Sequence, residues 1–205
     1  LEQRDLRGRG ASATLPGPWG MARHADDVVA ALSDLKEKKP ADALKVLDAA
    51  LGKHSAKSPA HSQLVLTRID AMYEIPERRQ ETAALYAKFA ADFPKDDMAS
   101  QALYMSALTA LDAGDHAAAK SASAKFLRTY AEDRLVADVR FIAAEADLLT
   151  KNYDQAAQQY RDFIKLSPQH SSAAQAQVRL ALALQAATLL RGGSPLAQRS
   201  EEHTS

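Results

Sequence analysis

"YRDFIKLSP", residues 160–168, holds no group that does chemistry, yet the chain returns to the same pattern at a fixed interval. Thirty-seven residues earlier stands "SAKFLRTYA" (123–131), and thirty-seven before that "YAKFAADFP" (86–94), so Phe89, Phe126 and Phe163 fall in one column. Tyr86 and Tyr160 share another column with Ser123 between them, and Pro94 and Pro168 share a third with Ala131. The same interval joins Tyr104 to Phe141, Ala107 to Ala144, Leu111 to Leu148, Ala119 to Ala156 and Asp115 to Asn152. A fixed period of this length marks a supersecondary unit that cannot bury its apolar face alone and so stacks on copies of itself.

The spacing within the unit is helical. Ala156, Tyr160, Phe163 and Ser167 fall at i, i+4, i+7 and i+11, one stripe on one face. Gly114 separates two apolar-periodic runs, where a left-handed residue ends one helix, and Asp115 and its counterpart Asn152 are suited to cap the next. Each unit therefore reads as a helical hairpin. The expected pairs are His24–Lys38 with Pro40–Gly52, Ser58–Glu74 with Pro76–Phe93, Lys95–Ala113 with Asp115–Tyr130, and Asp133–Lys151 with Tyr153–Ser167, followed by a ninth helix, Ser171–Leu190. Pro40, Pro59 and Pro76 stand at helix starts, where a missing N–H costs nothing. The recurring Phe supplies bulk at the joint between hairpins, and Ala107 and Ala144 let helices approach closely.

Three regions follow. Residues 1–22 are rich in Arg, Gly and Pro, lack a helical or strand period and are expected to be disordered. Residues 23–190 form the repeat domain. Residues 191–205 open with "RGGSP", which breaks a helix, and form a polar tail. Its last seven residues, "RSEEHTS", match the conceptual translation of a sequencing-adapter oligonucleotide, and the tail is read as foreign to the natural protein.

Lys+Arg and Asp+Glu both number 26, so the formal charge is zero and no basic field for nucleic acid is expected. The absence of Cys removes disulfides, thiolate metal sites and cysteine nucleophiles. The apolar run "VRLALALQAATLL" (178–190) is too short and Ala-rich for a membrane span, and the first residues show no signal peptide.

This pattern resembles the tetratricopeptide repeat, with Ala107 and Ala144 at the small position of the first helix and Ala119 and Ala156 at that of the second. Tyr86 and Tyr160 match its aromatic, and Pro94 and Pro168 its exit proline. The period is 37 rather than 34. Units of this length look most like the bacterial envelope subgroup, which includes the periplasmic Tol-Pal accessory proteins that coordinate cell division and the lipoproteins of outer-membrane β-barrel assembly. The resemblance implies an all-α fold, a right-handed α-solenoid of antiparallel helix hairpins, and a concave groove lined by the first helix of each pair. Gln101 and Asp138, one period apart, Glu145 two turns beyond Asp138, and Met105 are the partner-binding candidates on those helices.

Other site readings are weaker than plain structural ones. His24, His54, His61, His116, His170 and His203 are scattered, without a paired i, i+4 arrangement, so no metal is expected. "RGRG" and "RGGS" lack the strand and the Lys–Ser/Thr of a phosphate loop. Asp96/Asp97, Glu132/Asp133 and Asp138/Glu145 read as helix-start charges or solvated faces rather than acid–base pairs, and Tyr73, Tyr104, Tyr130 and Tyr153 as core. No nucleophile, base and orienting group converge. The expectation is a non-enzymatic scaffold, without cofactor, that binds a peptide or protein partner in the periplasm or cell envelope, or otherwise in the cytoplasm. The rival expectation is a recruiting or regulatory arm of a larger, cell-wall-acting enzyme.

Overall fold

The computed structural model describes residues 39–53 and 61–192, with Ser33 and Glu37 besides. The expected segment 1–22, nearly all of the expected helix His24–Lys38, Pro59, and the tail beyond Gly192 lie outside the described residues. Among the described residues the chain is helical, with no strand. The helices are α1 (Pro40–Lys53), α2 (His61–Tyr73), α3 (Arg79–Asp92), α4 (Ala99–Asp112), α5 (His116–Thr129), α6 (Val136–Leu149), α7 (Tyr153–Leu166) and α8 (Ala173–Gly192). Each packs on its neighbours in sequence, giving an all-α solenoid of antiparallel hairpins.

The sequence period is also the period of the backbone. α4, α6 and α8 begin at Ala99, Val136 and Ala173, and α3, α5 and α7 at Arg79, His116 and Tyr153, each start 37 residues after the last. Each helix from α3 to α7 is 14 residues long. Helices this short are marginal alone in water, so tertiary packing holds them.

The repeated helix end explains why the first helices start later than the sequence suggests. Phe93, Tyr130 and Ser167 close their helices in one shared non-helical conformation, with ψ of 57°, 49° and 57°, each N–H donating to the carbonyl of the column Phe four residues back, at 2.9, 2.7 and 2.8 Å. The chain then turns instead of entering a helix at Lys95 or Asp133. Asp96 Oδ1 accepts from the Met98 N–H at 2.9 Å and Asp133 Oδ1 from the Leu135 N–H at 2.8 Å. His170 Nδ1 takes the same place for Ser172, at 3.2 Å. A short polar side chain that bonds its own backbone two residues on competes with the helix and delays it. Pro76 likewise opens a single 3-10 turn, Pro76–Arg78, before α3 begins at Arg79. At the other corner Gly114 ends α4 with φ +78° and Asp115 Oδ1 caps α5 through the Ala118 N–H at 2.9 Å, as expected.

Phe89, Phe126 and Phe163 are all buried, at 1%, 0% and 0% exposure, with Tyr86, Ser123 and Tyr160 equally enclosed. Ala107, Ala144, Ala119 and Ala156 are fully buried beside them. Each Phe contributes on the order of 2 kcal/mol by leaving water. The Tyr column carries a polar tip that must be satisfied. Tyr86 donates to Asp70 Oδ1 at 2.6 Å, inside the α2–α3 hairpin, where Asp70 is 2% exposed. Burial pushes the Asp70 carboxyl up to about 7, a rise that the Tyr86 hydrogen bond opposes and nearby Glu74 reinforces.

Phe126→Ala should destabilise the chain by about 3–5 kcal/mol and, because coupling runs only between neighbours, broaden the urea transition followed by circular dichroism. A loss under about 1 kcal/mol would place Phe126 outside the joint. An aspartate ordinarily ionises above about 3.8, but Asp70 stays protonated in the fold up to about 7. Between those values the native state holds the extra proton. Its contribution to stability therefore falls as pH rises through that window, by up to about 1.4 kcal/mol per pH unit. Urea midpoints from pH 4 to pH 8 should show this slope, and Asp70→Asn should flatten it.

Candidate partner-binding face

The hairpins arrange their helices in two rows, first helices α2, α4, α6 and α8 and second helices α1, α3, α5 and α7. α4 and α6 touch each other directly across the hairpin boundary, which no two second helices do to the same degree.

Gln101 and Met105 sit one turn apart on α4 and are half-buried. One period on, Asp138 faces inward: its Oδ1 lies 3.3 Å from His170 Nε2, with side chains 14% and 7% exposed. Burial pushes the Asp138 carboxyl above the usual range, and His170 opposes that shift. The imidazole thus caps the start of α8 with one nitrogen and meets α6 with the other.

Glu145 is buried between a phenol and a guanidinium. Tyr160 donates to its Oε1 at 2.5 Å, and Arg179 of α8 places Nε 3.0 Å from the same oxygen. Burial, then the Glu145 carboxylate, holds the Tyr160 phenol far above its ordinary value. The four candidates therefore divide. Gln101 and Met105 keep accessible surface on α4, whereas Asp138 and Glu145 fasten α6 to the corner at His170, to α7 and to α8. As a carboxylate pair, Asp138 and Glu145 lie seven residues apart, about 10 Å along the helix axis, each committed to its own partner.

A second feature is absent from the reading of the sequence. A cleft of about 760 Å³ opens between α5, α6 and α7, lined by Lys120, Asp147, Lys151, Tyr153, Asp154 and Gln159 among others. At its base Asp147, 2% exposed, accepts from Lys120 Nζ, from Gln159 Nε2 at 2.8 Å and from Asn152 Nδ2 at 3.2 Å. Asn152 precedes α7 but makes no side-chain cap, in contrast to Asp115 and to expectation, because its amide is turned to Asp147 and to Thr150 Oγ1 at 3.0 Å. The signal lay in the columns that fail to repeat: Asp147 answers to Ala110, Gln159 to Ala122 and Lys151 to Gly114. Lys151 keeps its predecessor's left-handed turn at φ +64°.

Tyr73 and Tyr104 are core residues, as expected, while Tyr130 and Tyr153 are half-buried. His61 stacks near Phe93 with centroids 6.1 Å apart, and His170 lies edge-on to Phe163 at 5.2 Å. His24, His54 and His203 lie outside the described residues. Among the described residues no three His, Asp or Glu side chains gather as metal ligands, and no helix is long and apolar enough to cross a membrane.

A non-Gly residue in the left-handed region costs about 1–2 kcal/mol, part of which Gly returns as chain entropy. Lys151→Gly should therefore raise stability by up to about 1 kcal/mol in urea unfolding; a decrease would show that the Lys151 side chain itself holds the corner.

No family model matches this chain, and no curated protein matches it. Among solved structures it is similar to MamA of AMB-1, with a TM-score of 0.60 over 87% of this chain and 97% of that one, at 15% identity. It is also similar to a tetratricopeptide repeat protein from Parabacteroides merdae ATCC 43184, with a TM-score of 0.35 over 86% of this chain and 87% of that one, at 16% identity. The likeness to MamA shows the fold, an all-α helical-repeat solenoid.

Proposed function

We propose that this chain is a non-enzymatic interaction scaffold that holds a peptide or protein partner along the inner row of first helices. The observation that supports this reading is the direct approach of α4 to α6 across the hairpin boundary, the contact expected where first helices line the inner side of a curved array. Curved surfaces of this kind are what repeat arrays use for binding. Gln101 offers an amide that both donates and accepts, and Met105 one turn on offers an adaptable apolar contact. Asp138 and Glu145 contribute by fixing the spacing of α6 from α8 through His170 and Arg179. The titratable groups argue the same way: half-buried Asp138 and buried Glu145 and Asp147 are each engaged by a partner within the fold. The 37-residue unit and its resemblance to envelope repeats support the bacterial cell envelope as the setting.

The test is capture of a partner from the source proteome on the immobilised chain, followed by titration of the identified partner. Gln101→Lys combined with Met105→Glu should weaken binding at least about tenfold, as expected when a charge is forced into a contact without a counter-charge. Circular dichroism should stay unchanged. Undiminished binding by that variant would overturn the inner-face reading, as would failure to capture any partner.

A further inference from the structure

The α5–α6–α7 joint carries side chains that the repeat does without elsewhere. One period earlier, at the α3–α4–α5 joint, the columns of Lys120, Asp147, Lys151, Asp154, Gln155 and Gln159 hold Ala83, Ala110, Gly114, Ala117, Ala118 and Ala122. Ala110 and Ala122 are buried there, at 1% and 7% exposure, so a joint of this kind closes on alanine. Asp147 in place of that alanine puts a carboxylate, 2% exposed, where packing asks for none, and a buried charge is costly unless donors stand beside it. Selection of the correct register accounts for Asp147 and its three donors. It does not account for Lys151, Asp154 and Gln155, which line the cleft without bonding to Asp147, nor for an opening of about 760 Å³, a size suited to a small ligand.

The hydrogen bonds around Asp147 fix what remains for an occupant. Because the Gln159 amide nitrogen is committed to Asp147, its Oε1 is turned away and enclosed without a donor, and the side chain gains one by moving toward an occupant. Asn152 spends its amide on Asp147 and Thr150, which leaves its own Oδ1 as an acceptor. Lys120 bonds Asp147 with one of three N–H groups, and Lys151 adds a second ammonium at the mouth. The fixed charges pair off, Lys120 with Asp147 and Arg191 with Asp154. Ala124, Leu127 and Ala143 make one side of the cleft apolar. An anion here meets Asp147 and the orphan Gln159 oxygen, a cation meets two lysines, and a wholly apolar ligand strands the polar side. The lining is satisfied by an uncharged ligand whose groups both donate and accept on a carbon frame, and a hydroxyl is such a group. The geometry points to a binding site for a short neutral saccharide. Its hydroxyls accept from Lys120 and Lys151 and donate to Asn152 Oδ1 and Gln159 Oε1, while its C–H face lies on Leu127 and the alanines. The walls are α5 and α7, two second helices, so the site is separate from Gln101 and Met105 on α4.

The probes are maltotriose, cellotriose and tri-N-acetylchitotriose, each titrated into the full chain up to millimolar concentration and read from the Asn152 and Gln159 amide signals in proton–nitrogen correlation spectra. Saturable shifts are expected with at least one of them. Lys120→Ala, Asp147→Ala and Gln159→Ala together restore the residues of the earlier joint, so the helical circular dichroism should stay. Binding, followed at the Asn152 signals, should weaken at least about tenfold as the hydrogen-bonding groups are lost. Lys151→Gly with Gln155→Ala, both at exposed positions, should weaken it severalfold without touching the buried network, and Gln101→Lys should leave it unchanged. Absence of saturation with all three saccharides would overturn the proposal, as would undiminished binding by both cleft variants. So would a tighter response of the same signals to inorganic phosphate or to N-acetyl-trialanine amide, which would make the cleft an anion or a peptide site.

Discussion

The seam between hairpins is the constraint from which the rest of the structure follows. A 14-residue helix has too few internal hydrogen bonds to repay its nucleation cost in water, and five consecutive helices have that length. Their persistence rests on the enclosed column of Phe89, Phe126 and Phe163 and on the alanines that let the facing helices close upon it. Removing the aromatic from one joint removes the reason for the neighbouring helices to be helices.

Joints built from one pattern risk pairing out of register, since each apolar face is complementary to several others. Here the polar residues differ from joint to joint. Tyr86 meets Asp70 in one hairpin, Tyr160 meets Glu145 in another, and between them Ser123 stands opposite no carboxylate column. Asp147 with Lys120, Gln159 and Asn152 marks the α5–α6–α7 junction alone. A buried carboxylate costs little only where its donors are in place. A hairpin slipped by one unit would leave Asp70, Glu145 or Asp147 enclosed without a donor, so these clusters select the correct order even where they add little net stability.

The parts of this architecture that were legible in the sequence are those written in large or small apolar side chains at a fixed interval. The period, the antiparallel hairpins and the inward Phe column could be read because Phe89, Phe126 and Phe163 stand at the same place in three successive units. The starts of α4 and α6 could not, because Asp96 and Asp133 bond the backbone two residues on and hold off the helix for a further turn. The site was less legible still. Asp138 and Glu145 look free on a helical wheel, and only the approach of His170 from the corner before α8 and of Arg179 from α8 itself reveals that they are occupied. Periodicity reports which face is buried; it does not report which distant side chain meets a carboxylate at its edge.

That division bears on how such a scaffold can recognise anything. With equal numbers of cationic and anionic residues there is no net field to steer a partner, and the carboxylates Asp138, Glu145 and Asp147 of α6 are already engaged within the fold. Affinity in the proposed scaffold must then come from shape and from apolar or amide contacts, for which Gln101 and Met105 on α4 are the candidates. A half-buried edge of that kind suits an extended segment with its own hydrogen-bonding backbone, because an amide side chain answers backbone groups as donor or acceptor while a flexible thioether adapts to the side chain beside them.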